Sequence, residues 1–402
     1  MKILHTADLH LGIKLEDRSR ITEQALFFDE LNTIADTHQI DVILIAGDIY
    51  HTFSPTSESE RLFYKNLKKL SRNGARLIFI ISGNHDSPTR LSSIEPLTLE
   101  QGILFAKHPK DTFPIETFEH YAITDAGEGF VEISLRRESL VILFMPYPSE
   151  VTLNEIISDK ITDVEIQSEY TKKIGALFNQ NINKYRTDTI NIAVGHFHIT
   201  GGSASKDNKS ERDIMIGGAY AVNAEDLPQT AQYIAMGHLH RPQKIKENIY
   251  YSGSPIEYSL SEARQQKYVN ILDITPDSLD ITQIPLTNHK PIDHIKATSI
   301  EDAFARLEAK KDEDSWVYLD IATDRVLTPT EIKEIRKLKK DIVIIKPLLQ
   351  ATETENLTET PDELSISEEF LEFYKSKREG VSPSQETIEL FLKLTQFTDK
   401  EV

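Results

Sequence analysis

The sequence predicts an α/β fold in which helices cover a parallel or mixed sheet on both faces, followed by a small α+β unit and C-terminal helices. Three observations predict it. In the first part of the chain, short and continuously apolar segments alternate with amphipathic segments of helical period. A second, shorter alternation follows residue 275, and the end of the chain joins an acidic stretch to two amphipathic segments. Strands that are apolar on both faces indicate a sheet covered on both sides.

Residues 1–275 are predicted to form one domain around this sheet. Its short apolar segments are predicted strands, at 2–7, 41–46, 77–81, 140–145, 190–194, 233–236, 249–252 and 267–274. Helices are predicted between them, at 19–37, at 57–72 and over the polar residues 150–185. Ser57 and Glu60 have the spacing of a capping box, which predicts the start of the second helix.

The rest of the chain is predicted to have three parts. Residues 276–349 form an α+β capping domain, with strands at 292–296, 316–321 and 341–345 and helices at 299–310 and 330–339. Residues 350–365 are acidic and Thr-rich and form a linker. Residues 366–402 form a helical tail, rich in Phe and Leu, that suits docking on a helix or coiled coil of a partner. The alternative, that these helices pack on their own domain, stays open.

Composition excludes several classes of protein. The 402 residues contain no Cys, which excludes a disulfide-stapled scaffold, a zinc ribbon and thiol catalysis. The chain has no apolar run long enough to span a bilayer and begins without the pattern of a signal peptide, so a cytoplasmic location is expected. The net charge of −19 argues mildly against nucleic acid as a partner, unless metal ions and clustered basic residues offset it locally.

Polar side chains follow five of the predicted strands. They occur in the segments Asp8-Leu9-His10, Gly47-Asp48, Gly83-Asn84-His85-Asp86, Gly195-His196 and Gly237-His238-Leu239-His240. Because ligands bind at the carboxyl ends of strands in such sheets, these side chains are expected to meet at one edge. Carboxylate, amide and imidazole groups suit Mn²⁺, Fe²⁺ or Zn²⁺.

The backbone pattern supports convergence on one site. In the two Asp/His-x-His segments the polar residues lie two apart, so in extended backbone both point the same way. Glycines before the ligands permit close approach of the backbone. Seven ligand-type groups exceed the needs of one tetrahedral ion, whereas two ions about 3.5–4 Å apart that share a bridging carboxylate would use them all.

A two-ion site of this kind suits phosphoester hydrolysis. The cations bind the phosphate oxygens and lower the pKa of a water that becomes the nucleophile. His85 is placed to assist the leaving group, with Asp86 expected to fix its tautomer. Five isolated histidines are interpreted as ordinary surface residues: His38, His108, His120, His289 and His294. For His51 and His198, contact with substrate or with the groups around the metal ions stays open.

These motifs resemble those of the calcineurin-like metallophosphoesterase superfamily and, more narrowly, its SbcD branch, the nuclease components of bacterial SbcCD complexes. The resemblance rests on His5-Thr6-Ala7-Asp8-Leu9-His10-Leu11-Gly12, Arg18-Ser19-Arg20, residues 47–55, Ser82-Gly83-Asn84-His85-Asp86 and Tyr251-Ser252-Gly253-Ser254-Pro255. It implies a mixed-sheet sandwich with helices outside and a two-metal nuclease with exonuclease and hairpin- or end-processing endonuclease activity in DNA repair and recombination.

The resemblance also implies roles for individual residues. Asp8, His10 and His240 would hold the first ion; Asn84, His196 and His238 would hold the second; Asp48 would bridge them. His85 would assist at the scissile phosphate, and His51 would lie beside the nucleotide. The resemblance further implies a preference for Mn²⁺ over Mg²⁺, Fe²⁺ or Zn²⁺, a homodimer formed by helices of the first domain, and a coiled-coil ABC ATPase of the SbcC type as partner.

DNA contacts are predicted for four basic residues near the metal edge: Lys14, Arg18, Arg20 and Arg90. Two other functions stay open. The chain could be a phosphatase or small-molecule phosphodiesterase of the same superfamily, which its negative charge favours. It could also be a scaffold that binds DNA ends without cutting, which its complete ligand set disfavours.

Overall fold

Two mixed sheets lie face to face in the first part of the chain, with helices on their outer surfaces. The computed structural model describes residues 1–92, 95–148, 163–202 and 221–349, together with Tyr374 and Pro383.

In chain order the strands are β1 (Lys2–Thr6), β2 (Lys14–Leu15), β3 (Arg18–Ser19), β4 (Val42–Ala46), β5 (Leu77–Ile81), β6 (Ile103–Ala106), β7 (Glu116–Thr117), β8 (Tyr121–Gly127), β9 (Phe130–Leu135), β10 (Glu138–Met145), β11 (Ile190–His196), β12 (Tyr233–Gly237), β13 (Gln243–Lys246), β14 (Ile249–Tyr251), β15 (Tyr268–Thr275), β16 (Ser278–Pro285), β17 (Ile292–Ala297), β18 (Trp316–Thr323) and β19 (Ile342–Leu349).

The first sheet has the order β16-β15-β1-β4-β5-β6, and the second has the order β13-β14-β12-β11-β10-β9-β8-β7. Strands β1, β4, β5 and β6 are parallel, as are β10, β11, β12 and β14. Antiparallel strands complete both sheets. The predicted fold class, a mixed-sheet sandwich with helices outside, is therefore confirmed.

Strand β4 shows why the apolar segments form interior strands. All of its residues are buried. Val42 and Leu44 face the core between the two sheets, whereas Ile43 and Ile45 face the helices outside. Because successive side chains of a strand point to opposite faces, a strand apolar at every position needs cover on both sides.

The described helices lie outside the sandwich or in the α+β unit. They are α1 (Ile21–Thr37), α2 (Ser57–Ser71), α3 (Pro88–Ser92), α4 (Glu95–Thr98), α5 (Asp163–Gln180), α6 (Ile300–Ala309) and α7 (Pro329–Leu338). The predicted capping box of α2 is wrong: Thr56 is the N-cap, and its hydroxyl accepts from the backbone N–H of Ser59. The helix begins one residue earlier than the sequence pattern suggests, and this position decides which hydroxyl caps it.

The α+β unit forms a three-stranded parallel sheet in the order β17-β18-β19, with α6 and α7 packed on it. Strand β16 pairs along its whole length with β15, so the first sheet continues to Pro285, past the boundary predicted at residue 275. A buried hydrogen bond from Trp316 Nε1 to Glu23 Oε1, 2.9 Å long, joins the unit to α1. Residues 1–349 form one compact unit.

The predicted linker and tail lie outside the described residues, apart from Tyr374 and Pro383. Within the described ranges, the structure contains no helix with the length and apolar character of a membrane span.

Candidate metal centre

The carboxyl ends of β1, β4 and β5 in one sheet and of β11 and β12 in the other meet at one rim of the sandwich. The seven residues predicted as metal ligands are all buried there. The structure brings together all seven predicted metal ligands: Asp8, His10, Asp48, Asn84, His196, His238 and His240.

The first cluster contains Asp8, His10 and His240, whose ligand-type atoms lie within 4.8 Å of one another. The Nε2 atoms of the two imidazoles are 3.0 Å apart. Asp8 Oδ1 accepts from the backbone N–H of His238 at 2.8 Å. Its other oxygen, Oδ2, is buried without a hydrogen-bond partner among the described residues. A buried carboxylate oxygen without a donor is a costly arrangement that a bound cation would relieve.

The second cluster is centred on the side-chain oxygen of Asn84. This Oδ1 lies 3.1 Å from His196 Nε2 and 3.0 Å from His238 Nδ1. The three groups come from different strand ends, and the two rings stand nearly perpendicular with centroids 5.3 Å apart. One amide oxygen and two ring nitrogens thus face a common point.

Asp48 lies between the two clusters. Its Oδ2 atom is 3.4 Å from His10 Nε2 and 3.5 Å from His196 Nε2. Its Oδ1 accepts from the backbone N–H of His85 at 2.8 Å, which fixes the plane of the carboxylate. One oxygen of one side chain therefore reaches both clusters, as the bridging ligand of a two-metal site must.

The outer ring nitrogens of two histidines are held by protein acceptors. His196 Nδ1 donates to the carbonyl of Ala46 at 2.8 Å, and His240 Nδ1 donates to Glu262 Oε1 at 3.2 Å. In the neutral rings these bonds place the proton on Nδ1 and direct the lone pair of each Nε2 at the cluster. Metal-bound histidines have this arrangement, in which the second nitrogen is bound by a carbonyl or carboxylate.

The electrostatics favour a positive charge at the centre of the clusters. Burial raises the pKa of Asp8 to about 7. Burial lowers the pKa of His196, but Asp48 beside the ring outweighs burial and raises it to about 9. Burial also favours the neutral form of Asp48, yet the imidazoles of His196, His85 and His10 hold its pKa well below the usual value. A lone-pair-rich, buried donor set of carboxylate, amide and imidazole fits divalent metal ions.

The backbone at the ligands is strained. Four of the seven have left-handed backbone: φ is 55° at Asp8, 40° at His10, 51° at Asp48 and 100° at His238. The expectation that Asp8 and His10 point the same way along extended backbone is therefore wrong. They reach the same cluster through two left-handed turns, a conformation that costs of order 1 kcal/mol or more for each residue with a Cβ.

Two glycines permit the close approach of strands that the centre requires. A Cβ on Gly83 would lie 2.1 Å from Asp48 Oδ1, and one on Gly237 would lie 1.8 Å from the carbonyl oxygen of Ala46. Any side chain there would displace the groups that hold Asp48 and His196. This agrees with the close approach expected from the sequence.

His85 and His51 border the first cluster. Their rings stack at 5.5 Å, and the His85 ring is 4.8 Å from that of His10. The expectation that Asp86 fixes the tautomer of His85 is wrong. Asp86 accepts from the backbone N–H groups of Ile49 and Gly83 instead, whereas His85 Nδ1 donates to the carbonyl of His51 at 2.7 Å.

The predicted DNA contacts divide into two groups. Lys14 and Arg18 lie in the β2–β3 hairpin, and Arg90 lies in α3, with the Arg18 and Arg90 side chains 38% and 49% exposed. Arg20 is a correction, since its side chain is only 1% exposed. Its guanidinium is used internally by the carboxylate of Glu23 and the carbonyl of Glu257, so it cannot reach a phosphate.

Comparison with known proteins identifies the family. Residues 1–242 match the calcineurin-like phosphoesterase family, and residues 288–378 match the family described as type 5 capsule protein repressor C-terminal domain. The chain is 39% identical to SbcD, the D component of the SbcCD nuclease, of Bacillus subtilis (strain 168) over 406 aligned positions, 100% of this chain and 99% of that protein.

The chain belongs to the SbcD family of calcineurin-like phosphoesterases. More distant SbcD relatives agree. The identity is 29% to the SbcCD nuclease component SbcD of Escherichia coli (strain K12), over 92% of each chain. It is 28% to the protein of the same name from Rhodobacter capsulatus, over 82% of each chain. The expected family resemblance is confirmed, and with it the expectation of a hydrolase.

Sequence patterns do not reveal every part of this SbcD site. Glu262 and Lys267, which lie against His240, are missed. So is Tyr258, whose hydroxyl donates to the backbone carbonyl of Asp8 at 3.1 Å. None of them follows a strand in a metal-ligand pattern. Glu262 and Lys267 lie in a polar segment whose other residues are partly or fully exposed, so no local signal marks these two side chains as buried parts of a site.

Proposed function

We propose that this chain is a two-metal DNA nuclease that works with an SbcC-type ATPase in DNA repair and recombination. The observation that carries the proposal is the position of Asp48 Oδ2, within 3.5 Å of a ring nitrogen from each cluster. The relatives named as components of a nuclease support DNA as the substrate. Both exonuclease and hairpin- or end-processing endonuclease activity are proposed.

The residues divide between two ions. Asp8, His10 and His240 would hold one; Asn84, His196 and His238 would hold the other; Asp48 would be shared. When bound, such ions neutralise phosphate charge and lower the pKa of a water nucleophile. We propose Mn²⁺ as the ion, since the donor set mixes carboxylate, amide and imidazole.

His85 is proposed as the residue that assists at the scissile phosphate. The carbonyl of His51 holds its Nδ1–H at 2.7 Å, which fixes the orientation of the ring. In the imidazolium form, Nε2 is then the atom that would donate a proton to a phosphate oxygen or to the leaving oxygen. His85 is not in either set of three ligands, and its ring packs edge-on against that of His10 at 4.8 Å.

His51 is proposed to lie beside the nucleotide. Its ring is half-buried and stacks on the ring of His85. Phe53, two residues further along the chain, is half-exposed. Lys14, Arg18 and Arg90 are proposed to contact DNA phosphates, with Arg20 left out because it is buried. Because the chain as a whole carries a net charge of −19, attraction for the DNA phosphates would come mainly from these few cations and from the metal ions.

The test is a digest of end-labelled duplex and hairpin DNA with Mn²⁺, alongside a chromogenic phosphodiester. Release of nucleotides that stops with EDTA and with Asp48→Asn supports the proposal. Turnover of the chromogenic substrate alone would favour a phosphatase or small-molecule phosphodiesterase. DNA binding that persists without any cleavage would favour the scaffold.

The ATPase partner is proposed to dock on the C-terminal part of the chain. This proposal includes a capping domain that begins after β16, since that strand pairs with β15 in the first sheet. It also includes a linker at 350–365, a partner-binding tail at 366–402, and a homodimer formed by helices of the first domain. Deletion of residues 350–402 should spare Mn²⁺-dependent cleavage of simple substrates and abolish capture of an SbcC-type ATPase. Unchanged capture would contradict the docking role.

A further inference from the structure

A buried ion pair supports one of the metal-ligand histidines. Glu262 ends the 3₁₀ turn Leu260–Glu262 between β14 and β15, and its side chain is fully buried. Its Oε1 accepts from His240 Nδ1 at 3.2 Å. Its Oε2 accepts from Lys267 Nζ at 2.5 Å and from Ser254 Oγ at 3.2 Å.

Lys267 supports both the backbone and the ring of His240. Its ammonium donates to the backbone carbonyl of His240 at 3.1 Å as well as to Glu262. It also donates to Ser254 Oγ at 2.9 Å and to Gln265 Oε1 at 2.8 Å, so its charge is well surrounded by acceptors. One cation thus fixes the main chain of the histidine directly and its ring through the carboxylate.

The two clusters differ in this support. The corresponding acceptor for His196 is the neutral carbonyl of Ala46, at 2.8 Å. A carboxylate makes a histidine ligand more basic than a carbonyl does, because it stabilises the proton on the outer nitrogen more strongly. Of these two acceptors, the charged one belongs to His240, in the cluster of Asp8, His10 and His240.

The same segment joins the cluster to neighbouring structure. Tyr258 donates to the carbonyl of Asp8, and Glu257 Oε2 accepts from the backbone N–H of Ile292 at 2.7 Å. The position of Glu262 is therefore fixed from several directions. A buried pair with such complete hydrogen bonding is suited to hold a ligand in one orientation.

We propose that Glu262, held by Lys267, is a positioning residue that orients His240 and makes the ion site of Asp8, His10 and His240 the tighter of the two. This inference rests on the proposed two-metal function. It assigns the difference in affinity between the sites to a charged acceptor behind one histidine.

The experiment is a Mn²⁺ titration of the full-length chain, by electron paramagnetic resonance and calorimetry. Glu262→Gln should weaken the tighter of two sites by about 10- to 100-fold, the usual effect of losing such an outer partner, and leave the weaker site within about twofold. Because this change strands the Lys267 charge in the interior, the double variant E262Q/K267M is measured beside it. It removes both charges at similar volume.

Arg264→Ala is the matched control on the same segment. Its guanidinium is half-exposed and binds Asp293 rather than His240, so Mn²⁺ binding should be unchanged. Loss of one site in E262Q/K267M with an unchanged melting temperature in EDTA supports the inference.

Two results would overturn it: unchanged affinity at both sites of E262Q/K267M, or equal weakening of both sites. Failure of the wild-type chain to bind two Mn²⁺ ions would instead overturn the proposed function, and the inference with it.

Discussion

The metal rim and the α+β unit of residues 292–349 are built in different ways. At the rim, four of the seven ligands have left-handed backbone, ionisable groups are buried, and glycines let strands approach closely. The α+β unit follows local rules. Its helix α7 begins with Pro329 after the complete capping box of Thr328 and Glu331, and residues 276–349 contain no glycine.

The difference shows which part of the molecule depends on tertiary packing to keep its conformation. Left-handed residues and buried carboxylates are unfavourable locally, so the two packed sheets must hold them in place. In the α+β unit each segment already prefers the conformation it adopts. Substitutions at the rim should therefore change function strongly, whereas those in the α+β unit should change stability slightly. Five predictions test this contrast.

The largest effect is expected at Asp48, and Asp320 is its control because both carboxylates lie beside an imidazole. Asp48→Asn should lower Mn²⁺-dependent phosphodiester hydrolysis by about 10⁴-fold, since it removes the charge shared between the ions. Asp320 accepts from His294 Nε2 at 2.7 Å in the α+β unit, and both side chains are partly exposed. Asp320→Asn should leave the rate unchanged and cost at most about 1 kcal/mol in the free energy of unfolding. Equal rates for the two variants would break the contrast.

The second prediction concerns imidazoles. His85→Ala should lower the rate of cleavage by about 10³-fold, because a group that assists proton transfer is lost, while Mn²⁺ still binds at two sites. Calorimetry and single-turnover cleavage measure the two quantities separately. His294→Ala is the control and should change neither. Loss of a metal ion in His85→Ala would make His85 a ligand instead.

The third prediction concerns close approach. Gly237→Ala places a Cβ 1.8 Å from the Ala46 carbonyl and 2.8 Å from His196 Nδ1, so it should lower the free energy of unfolding by about 3 kcal/mol and weaken Mn²⁺ binding. Gly201 has a positive φ, of 91°, but a Cβ there meets no atom of the described residues within 4 Å. Gly201→Ala should cost about 1 kcal/mol. Denaturant unfolding with EDTA compares them, and similar costs would show that the close contacts of a Cβ at Gly237 do not matter.

The fourth prediction is a pH dependence at the rim. Burial raises the pKa of Asp8 to about 7. Burial lowers the pKa of His196, but the charge of Asp48 outweighs burial and raises that pKa to about 9. Mn²⁺ must therefore displace protons when it binds. Calorimetric affinity should fall as the pH is lowered from 9 to 6, by about tenfold per unit for each proton displaced.

The α+β unit should not respond over this range. A hydrogen bond from Arg325 lowers the pKa of Glu331 to about 2. A lowered carboxyl pKa gives a stabilising contribution that is complete above the usual pKa near 4.5 and is lost only as the pH falls toward 2. Amide exchange protection in α7, corrected for intrinsic rates, should therefore stay constant from pH 9 to 6. A pH-independent Mn²⁺ affinity would contradict the electrostatic account of the rim.

The smallest effect is expected at a helix cap. Thr328→Ala removes the hydroxyl that accepts from the Glu331 N–H, and it should cost about 1 kcal/mol in the free energy of unfolding. Mn²⁺ affinity and cleavage should not change. An effect on cleavage would show that the α+β unit acts on the rim.

The sequence predicted the elements that obey local rules. Strands such as β4 are apolar at every position, and the helices of the α+β unit are amphipathic between clear caps. It also predicted which residues come to the rim, because the carboxyl ends of parallel strands meet at one edge. It did not predict that Arg20 is buried, because its partner Glu257 is 237 residues away.

By itself, therefore, the sequence determined the fold class and the seven residues at the rim, since periodicity and position after a strand are local properties of the chain. Tertiary structure decided how those residues are held. The carbonyl of His51 rather than Asp86 orients His85, and Glu262 orients His240. These contacts depend on how separate loops pack against one another, and the energy that selects them comes from burial and hydrogen bonding between distant segments, which no local pattern records.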